Sequence, residues 1–366
     1  MKSDSKQHTL RHHELGDNIQ LLSHIEPTYA PLISCYIDLR DGLSQARQYV
    51  ISQKNEITGE LTGHVQRECE QAFDDIVNAL DAGSYDCRSL VVFSRSYEGD
   101  HFFRVLKLDT PLRNRISVSD VPDVLPLVLL QHQYGSYFQV SVSDQAVEIH
   151  ELGLGTCTLR GMAPLPLTSS DESRLAIACN LLQRTMRSSS RLDVILDGEL
   201  ELMQKIYRTL PRLLRRRVIQ LIPRQSVDSD NKIGIVGKMT HKRYREHLSS
   251  DRFKETVKSG QALDNVATGI PDSLCAIKMD VANRLYVAAD DLDISVGSPW
   301  SIEHKDTVLD VIRTAIQNKV PIDFVGSSKM MQQAGGIVCL RREQPITHRP
   351  DRPGFTAEAN SLQMMA

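Results

Sequence analysis

Two groups of basic side chains carry the concentrated chemistry of this 366-residue sequence. Arg208, Arg212, Arg215, Arg216 and Arg217 fall within one short stretch, and Lys238, His241, Lys242, Arg243 and Arg245 within another. A guanidinium fork matches phosphate oxygens two at a time, so clustered arginines suit a polyanion. The second group follows Gly234 and Gly237 and is read as a loop, because glycine lets a backbone approach nucleic acid closely. Gly237 and Thr240 belong to that candidate set. Such runs also line solvated helix faces, and Tyr244 suits packing as well as stacking on a base.

Other chemistries are excluded by what the motifs lack. A phosphate-binding loop needs G-x-x-x-x-G-K-[ST], but Lys238 follows a short Gly234–Gly237 spacing and is followed by Met239, which cannot ligate magnesium. There is no G-x-S-x-G elbow, no H-E-x-x-H helix and no paired-carboxylate motif. His8, His12 and His13 sit near the start of the sequence and are read as terminal residues, not as metal ligands. No catalytic group, metal or cofactor is expected, and the protein is expected not to be an enzyme. The seven cysteines, at 35, 69, 87, 157, 179, 275 and 339, form no C-x-x-C pair, which argues against a zinc or disulfide framework. The longest apolar run, Val124 to Leu130, contains Pro126 and is far short of the about 20 residues that span a membrane. The first residues show no signal-peptide pattern, so a cytoplasmic protein without membrane or DNA partners is expected.

Charge divides unevenly along the chain. Residues 1–131 hold 13 Lys and Arg against 19 Asp and Glu, residues 132–262 hold 20 against 14, and residues 263–345 hold 8 against 11. A basic module between acidic ones suits a protein whose middle touches a polyanion.

The elements that would position the arginines follow from periodicity. LISCYIDL (32–39) reads as a buried strand, and the apolar stripe Val65, Cys69, Ala72, Ile76, Leu80 as one face of a helix running over 45–80. Residues 89–94 and 102–108 form a hairpin. In the middle, strands at 137–142 and 147–152 precede a proline-containing loop at 161–171 and a helix to about 186. A strand at 192–196, a helix at 199–210 and a strand at 218–222 then read as a βαβ layer. Helix 271–279, strand 284–288, helix 305–317 and strands 322–325 and 336–340 complete a third α/β unit. Residues 346–366, rich in proline at their start, read as a flexible tail. The fold class is α/β: three mixed domains at 1–131, 132–262 and 263–345.

The string KDTVLDVIRTAIQNKVPIDFVGSSKMMQQAGGIVCLRR at 305–342 resembles the third domain of archaeo-eukaryotic class-I release factors and the rescue factor Pelota. The matching features are Phe324, Val325, Gly326 and Ser327 at a strand end, then Gly335, Gly336 and Ile337 opening a strand that ends at Arg341. LDNVATGIPDSLCAIKMDVANRLYVA (263–288) resembles the start of that domain. VSVSDQAVEIHEL and LDVILDGE are similar to the family's middle domain, and SCYIDLRDG is similar to bacterial members of the superfamily. Two departures matter. The loop at 161–171 has no Gly-Gly-Gln tripeptide, and the first domain has no Asn-Ile-Lys-Ser motif, so the family's hydrolysis and codon reading lose their chemistry.

The resemblance implies a tRNA-like three-domain shape and a bacterial ribosome-hibernation factor that occupies the A site without catalysis. It implies that the first domain lies at the decoding centre, that the middle domain approaches the peptidyl-transferase centre, and that the third meets elongation factor Tu. The 70S ribosome, its ribosomal RNA and the P-site tRNA are the implied partners. A rescue factor releasing peptidyl-tRNA by another group, or a general RNA-binding stress protein, stands as the alternative. Replacing Arg215, Arg216 and Arg217 by alanine is expected to weaken ribosome association with the fold intact.

Overall fold

A strand whose two faces are both covered reads as an unbroken apolar run, and β1 (Leu32–Asp38) shows why. Its residues alternate between two cores. Ile33, Cys35 and Ile37 pack with α2 (Leu43–Gly59) and α3 (Gly63–Ala82), while Leu32 and Tyr36 join a second cluster on the opposite face. The computed structural model describes residues 10, 12–97, 100–166, 170–187, 192–223, 230–261, 265–288, 302–326 and 329–342. It shows an α/β protein with three separate sheets.

The first sheet has the order β3-β2-β1-β4, with β2 (Ser89–Tyr97), β3 (Asp100–Leu108) and β4 (Arg115–Ser119), and all its pairings are antiparallel. Where the sequence suggests one helix over 45–80 there are two. The break falls at residues 60–62: α2 ends with Glu60 as its cap, and α3 opens on Gly63, whose φ of 71 is a left-handed conformation that glycine adopts freely. The second face of this sheet is covered by α1 (His12–Ser23) and α4 (Leu125–Gln133). Pro126 does not break α4, because it stands in the first turn where no intrahelical N–H donor is required.

The middle sheet has the order β7-β6-β5-β8-β9, with β5 (Tyr137–Val142), β6 (Ala146–Gly153), β7 (Thr156–Pro164), β8 (Asp193–Gly198) and β9 (Val218–Pro223). Strands β5, β8 and β9 run parallel, joined by crossovers through α5 (Asp171–Arg187) and α6 (Leu200–Thr209). Phe138, Val140, Val142, Val194 and Leu196 form their own core with Leu182, Met186, Met203 and Ile206 of those helices. The expected loop at 161–171 is shorter than its proline content suggested. Gly161 to Pro164 belong to β7, an edge strand, where a missing N–H is tolerated.

The third sheet, β10-β13-β11-β12, contains β10 (Val266–Thr268), β11 (Ala282–Ala288), β12 (Ile322–Val325) and β13 (Ile337–Arg341). Helices α9 (Gly269–Lys278), α10 (Ile302–Gln317) and α11 (Lys329–Gln333) connect them. Gly335 (φ 70) and Gly336 (φ 78) make the turn into β13, and the Gly336 N–H closes on Met331 O at 2.8 Å. The expected tail at 346–366 and Ser327 lie outside the described residues.

One buried cluster runs from the first sheet through α1 and α4 into α10, β11 and β13, so the first and third units share a core. The end of α1 is closed by α10. Arg313 donates to Ser23 O at 2.8 Å and to Ile25 O, and Gln317 Nε2 to Ser23 O at 2.6 Å, which satisfies terminal carbonyls of the helix. All seven cysteines are free thiols. Among the described residues, no helix is long and apolar enough to cross a membrane.

Candidate nucleic-acid interface

The arginine-rich stretch folds as the connection between α6 and β9. Thr209 ends α6, Pro211 precedes a single helical turn, α7 (Arg212–Arg215), and Arg217 leads into β9. This geometry separates the five arginines into two sets. Arg215 Nη2 donates to the carbonyls of Arg208 (2.6 Å) and Leu210 (3.0 Å), and its guanidinium lies 5.7 Å from the centre of the Tyr207 ring. Arg217 Nε donates to Leu192 O at 2.8 Å and Nη1 to Met186 O at 3.2 Å. Both cations therefore meet carbonyls at the ends of α6 and α5, where the helix dipole also favours positive charge. Burial lowers the pKa of Arg217, and neighbouring Asp193 opposes that shift.

Arg208, Arg212 and Arg216 point outward. All three are exposed, and their side chains make no hydrogen bond or ion pair with the described residues. Leu213, 78 % exposed, stands among them. Because Arg217 reaches Met186, the end of α5 lies beside the start of β9, and the exposed Arg184 and Arg187 join the same end of the middle unit. These two were missed in the sequence. Their i, i+3 spacing in a helix was visible, but nothing local placed the end of α5 near α7.

The second basic group is not a loop. Residues Asp230–Gln261 form one long helix, α8, whose buried side meets the middle sheet and then the third unit. Gly237 serves close packing: a Cβ there would stand 2.7 Å from Gln139 Oε1 and 3.2 Å from the Tyr137 hydroxyl. His241 is only 2 % exposed. Its ring stacks on Tyr137 at 4.6 Å, and its Nε2 lies 3.3 Å from Asp193 Oδ2, so it is turned into the protein and away from any ligand. Lys242 pairs with Glu246 at 3.9 Å, and further along Asp251 sits between His247 (3.2 Å) and Lys254 (3.8 Å). That is a solvated helix face of mixed charge, where each pair contributes little. Arg243 is exposed, Arg245 and Thr240 are half-buried, and the side chain of Lys238 lies outside the described residues. The glycines misled because they favour a loop over a helix, and the decisive contact, with Gln139, is about a hundred residues away in sequence.

The polar groups beneath α8 form a small network. Gln139 Nε2 donates to Asp197 Oδ2, and burial raises the Tyr137 phenol well above its ordinary pKa. The network faces the helix and is closed from solvent, since Gln139 and Asp197 are both buried.

No family model matches the sequence, and no curated protein does. Solved structures similar to the chain include an archaeal translation termination factor (TM-score 0.30, 14 % identity, 91 % of this chain and 99 % of that one). Pelota from Archaeoglobus fulgidus aligns with TM-score 0.37 and 10 % identity over 90 % of this chain and 92 % of that one. A ribosome-bound archaeal Pelota aligns with TM-score 0.43 and 11 % identity over 89 % and 94 %. The α/β class, with three sheets and their helices, stands on the chain's own strand pairing.

Proposed function

We propose that the protein is a ribosome-binding, release-factor-like protein that acts without catalysis, a hibernation factor of the bacterial Balon type. In this reading the first unit faces the decoding centre of the A site. The arginine end of the middle unit contacts ribosomal RNA or the P-site tRNA, and the third unit meets elongation factor Tu in the cytoplasm. The observation that carries the reading is the outward set Arg208, Arg212 and Arg216 around exposed Leu213, on a middle unit whose β7–α5 segment lacks a Gly-Gly-Gln tripeptide. Three phosphate contacts at single-stranded-like sites give a log–log salt dependence of about −2.

The test is cosedimentation with 70S ribosomes at two salt concentrations, comparing wild type with Arg212→Ala/Arg216→Ala. Loss of two charge-assisted contacts is expected to weaken association by about tenfold or more and to flatten the salt dependence. Undiminished pelleting of the variant would overturn the interface. Addition of the protein to stalled ribosomes separates the rescue reading, because released peptide would require a reacting group. Competition by free RNA as effective as that by ribosomes would favour a general RNA-binding protein.

A further inference from the structure

A two-residue hairpin loop with positive φ at both central positions is a type I′ turn, which favours asparagine followed by glycine. A larger side chain in the left-handed region crowds its own backbone. The β6–β7 loop has this form: Gly153 pairs with Thr156, and between them Leu154 has φ 51 and Gly155 φ 84. Leucine is a poor local choice, and its surroundings explain its presence. Leu154 is 1 % exposed and belongs to the cluster of the first and third units, together with Leu106 and Leu108 of β3, although its strands belong to the middle sheet. Gly155 lies directly on the chain that follows β3, where a Cβ would stand 2.5 Å from Asp109 O. The turn is shaped for the neighbouring unit at the expense of its own hairpin, a conflict between local and global preference that marks a special site.

The geometry points to the Leu154–Gly155 turn as a latch that locks the middle unit onto the N-terminal unit and so sets where the arginine end stands. The chain enters the middle unit through residues 134–136 and leaves it through α8. These two connections form the pivot once Leu154 withdraws. The latch is a property of the free protein and does not depend on the ribosomal reading.

Leu154→Asn tests it, because Asn-Gly is the preferred type I′ sequence while an amide is a poor occupant of an apolar core. Small-angle X-ray scattering of the full chain is expected to give a larger radius of gyration and maximum dimension than wild type, with unchanged helix and strand content by circular dichroism. Gly155→Asn tolerates the left-handed backbone but pushes a side chain against Asp109, and is expected to open the same contact. A folded variant of either kind with the wild-type scattering curve would overturn the latch. Unfolding of both would also overturn it, by making the turn part of the folding core. Ribosome binding is read separately through Arg212 and Arg216, so the two proposals fail independently.

Discussion

At the scale of single residues, the five clustered arginines have the same chemistry and different partners. Arg217 donates two hydrogen bonds from a charged group to backbone carbonyls, and such bonds contribute about 1.5–3 kcal/mol each to stability before allowance for partial exposure. Arg217→Ala is therefore expected to lower the urea midpoint clearly, whereas Arg212→Ala or Arg216→Ala changes stability by no more than about 0.5 kcal/mol. The triple alanine variant at 215–217 would disturb the fold, contrary to the expectation from sequence. Asp123 is a second residue with an outsized role. It is 2 % exposed, and its carboxylate accepts from Arg115 (2.6 Å), Ser117 (3.3 Å) and the Leu125 N–H (3.3 Å), while its own carbonyl accepts from Tyr36 (2.5 Å). Removing one member of such a buried set leaves an uncompensated cation, so Asp123→Ala is expected to cost about 3 kcal/mol in denaturant titration.

At the scale of elements, α8 decides how the middle and third units meet. Glycine in the interior of an exposed helix costs about 1 kcal/mol relative to alanine, so on propensity alone Gly237→Ala would stabilise. Here the added methyl would stand 2.7 Å from Gln139 Oε1, in a network held by Asp197. The expected sign is reversed: Gly237→Ala lowers the melting temperature, and pairing it with Gln139→Ala recovers part of the loss in a double-mutant cycle. A repeating apolar face was legible in sequence where one existed: Cys69, Ala72, Ile76 and Leu80 are the buried stripe of α3, although the break that separates α3 from α2 was not. Helix α8 lacks such a face, because it changes partner along its length, from Tyr137 and Gln139 at one end to Tyr286 beside Phe253 at the other.

At the scale of the whole molecule, His132 sits where three elements converge. Carried on α4, it lies 3.3 Å from Ser249 of α8, accepts the Phe324 N–H of β12 at 3.4 Å through Nε2, and meets the Phe324 ring edge-on. Its accepting nitrogen must be unprotonated. Burial, reinforced by Arg245 and opposed by Asp323, lowers its pKa to about 4 from 6.5. For a base whose folded pKa is depressed, the unfolded chain binds more protons between these values, so the stabilisation is complete above about pH 6.5 and lost as pH falls towards 4. The shift corresponds to about 3 kcal/mol over that window. Urea unfolding at pH 7 and pH 4.5 is expected to show a loss of stability on acidification that His132→Gln reduces. A pH dependence equal in wild type and variant would place the effect elsewhere.

The amino-acid sequence by itself determined the alternation of strands and helices, the basic character of the middle third and the lack of nucleophile, metal or phosphate-loop motifs, because these are properties of composition and short-range period. Only the tertiary structure decided that Arg215 and Arg217 serve helix ends, that His241 is buried, that Arg184 and Arg187 join the exposed basic end, and that Leu154 leaves its own sheet for another core. The difference is physical. Period and charge are carried by neighbours along the chain, whereas the partner of a guanidinium, an imidazole or a leucine in a turn is set by backbone that arrives from far away, and its identity exists only after folding.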